Sequence, residues 1–152
     1  MRGLLIRVAI IAVIGLGAFV LRDRISGSAS DLAVGDCFAV PTEEAIRDVD
    51  HHPCTEAHDA EVVYVGDHPA PDDAAPLTDD GLQDFVMNTC GGAMIEYVGG
   101  LQALETNAEL ENLDLGVIYP TDDDWNGGER KITCYLHSVD GSELTKSYKA
   151  AA

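Results

Sequence analysis

The chain has 152 residues, of which 27 are Asp or Glu and nine are Lys or Arg, so its formal net charge is −18 at pH 7. After residue 30 there are 26 acidic and five basic residues, a balance that repels phosphate backbones and argues against nucleic-acid binding. The length beyond residue 30 fits one domain. The acidic surface either keeps an exported domain soluble or attracts a basic partner or divalent cations.

The first feature along the chain is an apolar segment at 4–21, interrupted once by Arg7. As a helix it would extend about 27 Å, close to the hydrocarbon thickness of a bilayer. Arg22, Asp23 and Arg24 follow it directly, where a signal peptide would have small residues, so we predict a retained anchor, with a cleaved signal peptide as the alternative. The predicted domains are a transmembrane anchor with flanking Arg residues at 1–24, a tether at 25–33 and an extracytoplasmic domain at 34–149.

Apolar periodicity and turn residues predict the elements that follow. Thr78 is a natural N-cap for an amphipathic helix that continues to Val98 across the Gly91-Gly92 pair. A loop or hairpin return is predicted at 42–53, and loops or turns at 69–76 and 122–129. Strands are predicted at 34–40, 61–65, 113–119, 131–136 and 144–148, and a second, shorter helix at 101–112. Asp140-Gly141 predicts a hairpin into the last strand.

The predicted fold class is α+β: a single N-terminal transmembrane helix, then a small antiparallel β-sheet domain with one main packed helix and two disulfides. Four cysteines in a small acidic domain are typical of an oxidising compartment, which places the N-terminus in the cytoplasm and the domain outside. Three pairings are open. We favour Cys37–Cys54, which closes a local loop, and Cys90–Cys134, which joins core-facing positions of a helix and a strand. There is no C-x-x-C motif, so structural disulfides are preferred over redox chemistry.

One short pattern is superficially similar to a zinc site. His51, His52, Cys54 and His58 form H-H-P-C-x-x-x-H. A second ligand pair at zinc spacing is missing, and a disulfide at Cys54 would remove its thiolate. We therefore expect these histidines to have a structural or surface role.

A second pattern matches the first half of an EF-hand calcium loop. The candidate ligands are Asp122, Asp124 and Asn126, and Glu129 lies close to them along the chain. Thr133 stands where a calcium loop requires a bidentate Glu, and a strand follows instead of a helix. The sequence favours an acidic turn, and these four residues stay weak candidates for a metal site that we do not predict.

Several motifs taken together resemble the septum-formation family of actinobacterial membrane-anchored proteins. They are V-G-D-C-F at 34–38, C-T-E-A-H-D-A-E-V at 54–62, W-N-G-G-E-R at 125–130 with Cys134 after it, and L-T-K-S at 144–147. Ala57 departs from the Pro usual in this family, and Lys146 from the usual Gly, and both differences concern turn geometry. The resemblance implies a role in cell division or the envelope and offers no reaction. It also implies a structural corner formed by Trp125, Gly128, Arg130 and His58, in which Arg130 holds a carboxylate or backbone carbonyls, or alternatively faces a partner.

No motif of a serine hydrolase, zinc protease, P-loop or dinucleotide enzyme occurs, so we predict neither enzymatic activity nor a cofactor. The leading hypothesis is a membrane-anchored, non-catalytic extracytoplasmic binding or scaffold protein that acts in cell division or envelope assembly. Its partners would be the membrane and other membrane or envelope proteins, with no nucleic acid. The alternatives are an accessory subunit of a larger membrane complex, such as a respiratory or transport assembly, and an exported domain that responds to divalent cations.

Overall fold

An antiparallel sheet lies at the centre of the domain. The computed structural model describes residues 26–42 and 48–151, and within them six strands pair in the order β1-β3-β2-β4-β6-β5. The strands are β1 (Ser26–Ser28), β2 (Cys37–Ala39), β3 (Asp48–His52), β4 (Ala60–Asp67), β5 (Leu113–Ile118) and β6 (Lys131–Ser138). Every pairing is antiparallel, which confirms the predicted sheet.

One main helical rod packs on the sheet, as predicted. It consists of α1 (Asp79–Phe85), a π-helical turn (Val86–Cys90) and α2 (Gly91–Tyr97), and Thr78 caps its start by accepting a hydrogen bond from the Gly81 amide at 3.2 Å. The glycine pair does not split the rod, because the backbone stays right-handed helical from one segment to the next. Two short helices follow, α3 (Leu101–Thr106) and α4 (Asp122–Asn126), and 3₁₀ turns occupy Ala29–Asp31 and Leu110–Asn112.

The core lies on both faces of the sheet, because β4 is a central strand covered on each side. Its first four residues, Ala60, Glu61, Val62 and Val63, are all buried. On the helix side, the buried residues are Val63, Phe85, Cys90, Tyr97, Val98, Leu110, Ile132, Cys134 and Leu136. On the other side they are Ala29, Leu32, Phe38, Val49, Ala60, Val62 and Tyr135. Burial on both faces explains the run of β-branched residues in β4.

Gly116 in β5 is needed for packing against the neighbouring strand. It lies opposite Tyr135 of β6, whose ring covers the glycine so closely that an added Cβ would lie 2.2 Å from a ring carbon. Tyr135 also meets Phe38 edge-on, with ring centroids 5.4 Å apart. The glycine therefore provides the space in which this aromatic pair joins the edge strand to the core.

Both predicted disulfides are present in the structure. Cys37 is joined to Cys54 and Cys90 to Cys134, with Cα separations of 5.3 and 5.9 Å. The second bond lies inside the apolar core, where Cys90 and Cys134 are both fully buried. It ties the helical rod to β6.

Several local predictions need correction. Most of the tether predicted at 25–33 is part of the fold, because β1 pairs with β3 and Ala29 and Leu32 are buried. The segment predicted at 42–53 as a loop or hairpin return contains β3, which pairs antiparallel with β2 and so forms the hairpin return. The turn predicted at 122–129 begins as α4, and the helix predicted at 101–112 is interrupted after Thr106. The expected hairpin into 144–148 is absent from the described chain, where Leu144 instead forms an antiparallel bridge with His58.

The predicted anchor at 1–24 lies outside the described residues. Among the helices of residues 26–42 and 48–151, none is long and apolar enough to cross a membrane.

Candidate functional site

Three segments that carry the sequence motifs meet at one end of the sheet. The pairing of β2 with β4 places Cys37 opposite Glu61, and the pairing of β2 with β3 places it opposite His52. The disulfide then brings Cys54 to the same position, and the bridge between His58 and Leu144 brings the C-terminal segment beside it. We call Cys37, Cys54, His58 and Glu61 the polar cluster.

Glu61 is a fully buried carboxyl group that is held by three donors. The hydroxyls of Tyr97 and Ser147 donate to Oε1, and the Tyr148 amide donates to Oε2 at 2.8 Å. Such donors replace the water that an isolated buried carboxylate would lose. Burial, together with the hydrogen bond to Glu61, raises the pKa of Tyr97, so its hydroxyl remains a donor.

His58 is only 1% exposed, and its two ring nitrogens differ. Nδ1 lies 2.8 Å from the carbonyl oxygen of Glu56. A carbonyl accepts and cannot donate, so Nδ1 carries a proton, and in the neutral ring Nε2 presents a lone pair. Nε2 is buried and has no hydrogen-bond partner among residues 26–42 and 48–151. Cys37, His58 and Glu61 each offer one atom that can bind a metal ion, and these three atoms lie within 4.8 Å of one another.

At the opposite end of the same strands, Arg130 is buried among carbonyl groups. Nη1 donates to the carbonyls of Trp125 and Glu129 at 2.6 and 2.9 Å, and Nη2 donates to those of Pro71 and Asp72 at 3.3 and 2.9 Å. The guanidinium carbon lies 4.1 Å from the centre of the Trp125 ring, as in a cation–π contact.

The residues around Arg130 fix its position. The Trp125 indole donates to the Ala74 carbonyl at 2.9 Å, which ties the 69–76 loop to α4. Gly128 ends this short helix with a φ of +97°, a conformation that glycine adopts at little cost. Trp125, Gly128 and Arg130 therefore form the predicted corner. Arg130 donates to backbone carbonyls, one of the two kinds of acceptor predicted for it. Its side chain is buried and does not face a partner protein.

His58 does not belong to this corner. Arg130 directly precedes the residue that pairs with Asp67, whereas His58 lies just before Ala60 at the other end of β4. Ala60 and Asp67, at the two ends of β4, are seven residue steps apart, or roughly 23 Å. The ring beside Trp125 is that of His68, with centroids 5.5 Å apart.

The acidic turn forms one wall of an open groove of about 800 Å³. The first residues of α4 and the end of β5 line one side, and 28–30 at the opposite edge of the sheet line the other. Lys131 also lines the groove, and its ammonium group donates to the Ser30 carbonyl at 2.9 Å. Four acidic side chains line this acidic groove: Asp122, Asp123, Asp124 and Glu129.

The four weak metal candidates do not converge as calcium ligands. Asp122, Asp124 and Asn126 lie in α4, and Asp124 accepts from the Thr121 hydroxyl at 2.7 Å. Glu129 accepts from the amides of Arg130 and Lys131. In the described part of the chain, the convergent ligand-type atoms belong to the polar cluster.

Sequence reasoning missed Glu61 and Tyr97 as members of a site. Both were interpreted only as parts of a strand and a helix. One sequence signal was available. In A-E-V-V at 60–63, an acidic residue stands within an apolar run, which indicates a charged side chain in a buried strand. A charge there needs partners from elsewhere in the fold.

Comparison with known proteins identifies one family. A family model described as septum formation matches residues 35–152. No curated protein and no solved structure matches the chain. The matched range contains the polar cluster, the Arg130 corner and the acidic groove apart from its 28–30 wall.

Proposed function

The chain belongs to the septum-formation family, and on this premise we propose that it is a membrane-anchored, non-catalytic binding or scaffold protein. It acts outside the cytoplasm, in cell division or envelope assembly, with its N-terminus in the cytoplasm. Its partners are other membrane or envelope proteins.

The arrangement of polar groups supports binding over catalysis. Glu61 is buried and satisfied by three donors, and Arg130 is buried and held by four carbonyls. Groups so enclosed do not meet a substrate and serve the fold. The acids of the acidic groove do meet solvent, because Asp122, Asp123 and Glu129 are exposed.

The acidic groove is the observation that carries the proposal. It lies between the two edge strands of the sheet, β1 and β5, and has one Lys beside its four acids. Complementary charge speeds and orients protein association, so the partner surface that fits here is basic. In this role, the excess of acidic over basic residues in the domain attracts the basic partner.

The test compares two variants of the full-length chain that make the same chemical change in different places. Asp122→Asn/Asp123→Asn removes two charges from the groove. Asp79→Asn/Asp80→Asn removes two charges from the first turn of α1 and is the matched control, because both pairs occupy the first turn of a helix.

Each variant is fused at its C-terminus to a fluorescent protein, expressed in its native cell and purified in mild detergent. We expect the wild type and the α1 variant to gather at mid-cell and retain the same proteins, and the groove variant to lose both properties. Uniform membrane fluorescence of the wild type would contradict the role in division. Stoichiometric recovery of a respiratory or transport enzyme would instead support the accessory-subunit alternative.

A further inference from the structure

The polar cluster contains the side chains that a tetrahedral zinc site requires. Structural zinc is bound by Cys thiolates, His nitrogens and carboxylate oxygens in sets of four. Cys37, Cys54, His58 and Glu61 supply two sulfurs, one nitrogen and one carboxylate. We propose that these four residues bind one zinc ion when Cys37 and Cys54 are thiols, and that the ion and the disulfide exclude each other.

His58 provides the independent observation that points to a ligand. Its Nε2 is buried without a partner in the part of the chain that the structure describes, and Nδ1–H donates to the Glu56 carbonyl. A metal-binding histidine almost always donates its other ring N–H in this way, which fixes the tautomer and the ring orientation. The ring is therefore already oriented as a ligand.

Glu61 accepts the kind of hydrogen bonds that hold a metal-binding carboxylate in place. An ionised carboxylate has about four acceptor positions, and three are occupied, two on Oε1 and one on Oε2. The remaining position is on Oε2. The hydroxyl donors from Tyr97 and Ser147 would hold the carboxylate in place, as outer-shell partners do around metal ligands.

The distances are compatible with small rearrangements. The ligand atoms of Cys37, His58 and Glu61 lie within 4.8 Å of one another, whereas zinc at its usual bond lengths separates neighbouring ligands by roughly 3.3–3.8 Å. They must therefore approach by about an ångström. Cys54 lies outside the strands and is partly exposed, so it can move away from Cys37 and offers the ion a path from solvent.

The zinc-bound and disulfide states of Cys37 and Cys54 interconvert by known thiol chemistry. In the newly made chain both residues are thiols, and zinc binding converts them to thiolates and releases two protons to solvent. In the oxidised chain a phosphine reductant opens the disulfide, takes the oxygen of one water to become a phosphine oxide and leaves two thiols. Thiol–disulfide exchange with a small-molecule disulfide reverses the state: the two Cys thiolates form the disulfide, the reagent takes their two electrons and two protons from solvent to become two thiols, and the ion is released.

The experiment uses the full-length chain in detergent, with cobalt as a spectroscopic substitute for zinc. A mild phosphine treatment opens Cys37–Cys54, and thiol alkylation with peptide mapping locates the free thiols. We expect one cobalt ion per reduced chain, with the charge-transfer absorption of thiolate ligands, and displacement by one equivalent of zinc. The oxidised chain should show no such absorption.

His58→Gln is the test variant, and His51→Gln, three residues from Cys54 in the same motif, is the control. We expect the first to weaken cobalt binding at least 100-fold and the second to leave it unchanged. Equal binding by the two variants, or no thiolate absorption in the reduced wild type, would overturn the assignment. If the reduced chain unfolds, zinc must restore its circular dichroism in the wild type and not in His58→Gln, and failure to do so also rejects the site.

Discussion

The two ends of the β4–β6 ladder each bury one charged side chain, but they stabilise it with different groups. Glu61 is surrounded by hydroxyl and amide donors, and Arg130 by backbone carbonyls and an indole ring. Neither forms an ion pair within residues 26–42 and 48–151. Each end also has one buried nitrogen that finds no hydrogen-bond partner among the described residues, Nε2 of His58 and Nε of Arg130.

The difference lies in what those two nitrogens can do. Nε of Arg130 is an N–H group on a permanent cation, so it cannot bind a metal ion. Nε2 of His58 presents a lone pair, and His58 lies beside Cys37 and Glu61, so it can bind one. The Arg130 end is therefore a closed structural joint, whereas the Glu61 end has a chemistry that depends on the oxidation state of its cysteines.

The largest effects are expected from the disulfides, which also distinguish the Glu61 end from the apolar core. Cys90–Cys134 closes a longer loop than Cys37–Cys54, with sequence separations of 44 and 17. The loop-entropy relation gives about 4 kcal/mol for the first and about 3 kcal/mol for the second. We expect Cys90→Ala/Cys134→Ala to lose more stability in urea unfolding than Cys37→Ala/Cys54→Ala, and the opposite order would contradict the comparison.

Arg130→Lys tests whether the closed end depends on the guanidinium itself. A lysine has one ammonium group and cannot reach carbonyls on both the α4 side and the 69–76 loop. We expect a loss of about 2–4 kcal/mol, because buried carbonyls would be left unsatisfied. Lys146→Met is the control, since Lys146 pairs with Glu109 on the exposed surface, and its urea midpoint should stay at the wild-type value. A stable Arg130→Lys variant would show that the joint is held by packing alone.

Glu61→Gln tests the Glu61 end of the ladder, as Arg130→Lys tests the Arg130 end. The substituted amide presents donors where the carboxylate accepted hydrogen bonds, so at least one of the three donors loses its acceptor. We expect a loss of about 1.5–3 kcal/mol. The control is Glu129→Gln, an exposed Glu that also accepts two amide hydrogen bonds, and its loss in the same urea titration should be clearly smaller. Equal losses would mean that burial of Glu61 is not what makes it important.

Much of the fold follows from local signals that the structure retains. The Thr78 cap and the apolar spacing predict the helical rod, and the β-branched run predicts β4. Cys37–Cys54 is predicted from the local loop that it closes, and Cys90–Cys134 from the core-facing positions of its two cysteines. These features depend on residues near one another in the chain, or on a periodicity that burial preserves.

The remaining features depend on contacts between distant residues. Ser26–Ser28 has no strand signal of its own and becomes a strand because β3 offers a free edge. Leu144 pairs with His58 instead of forming a local hairpin. The assignment of His58 to the Arg130 corner was wrong because shared motifs indicate shared function but not proximity. Placement of His58 required the pairing of β4 with β6.

The smallest effect is expected from pH, and it concerns the ring that packs beside the Arg130 corner. Burial lowers the pKa of His68, and the nearby Arg130 charge lowers it further. Nδ1 of His68 accepts a hydrogen bond from the Ala70 amide at 3.1 Å, a contact that is compatible only with an unprotonated Nδ1. The unfolded chain takes up a proton near pH 6.5, before the folded chain does, so stability should fall as pH drops from about 7.5 to about 5.5.

His68→Asn isolates this contribution, because its side-chain oxygen can replace Nδ1 as the acceptor and does not titrate. We expect the variant to have a shallower dependence of the urea midpoint on pH than the wild type, whereas His51→Asn, on β3 away from the corner, should keep the wild-type slope. A stability that rises toward pH 5.5 in the wild type would contradict the lowered pKa of His68 and the effect of burial and of the nearby Arg130 charge on its ring.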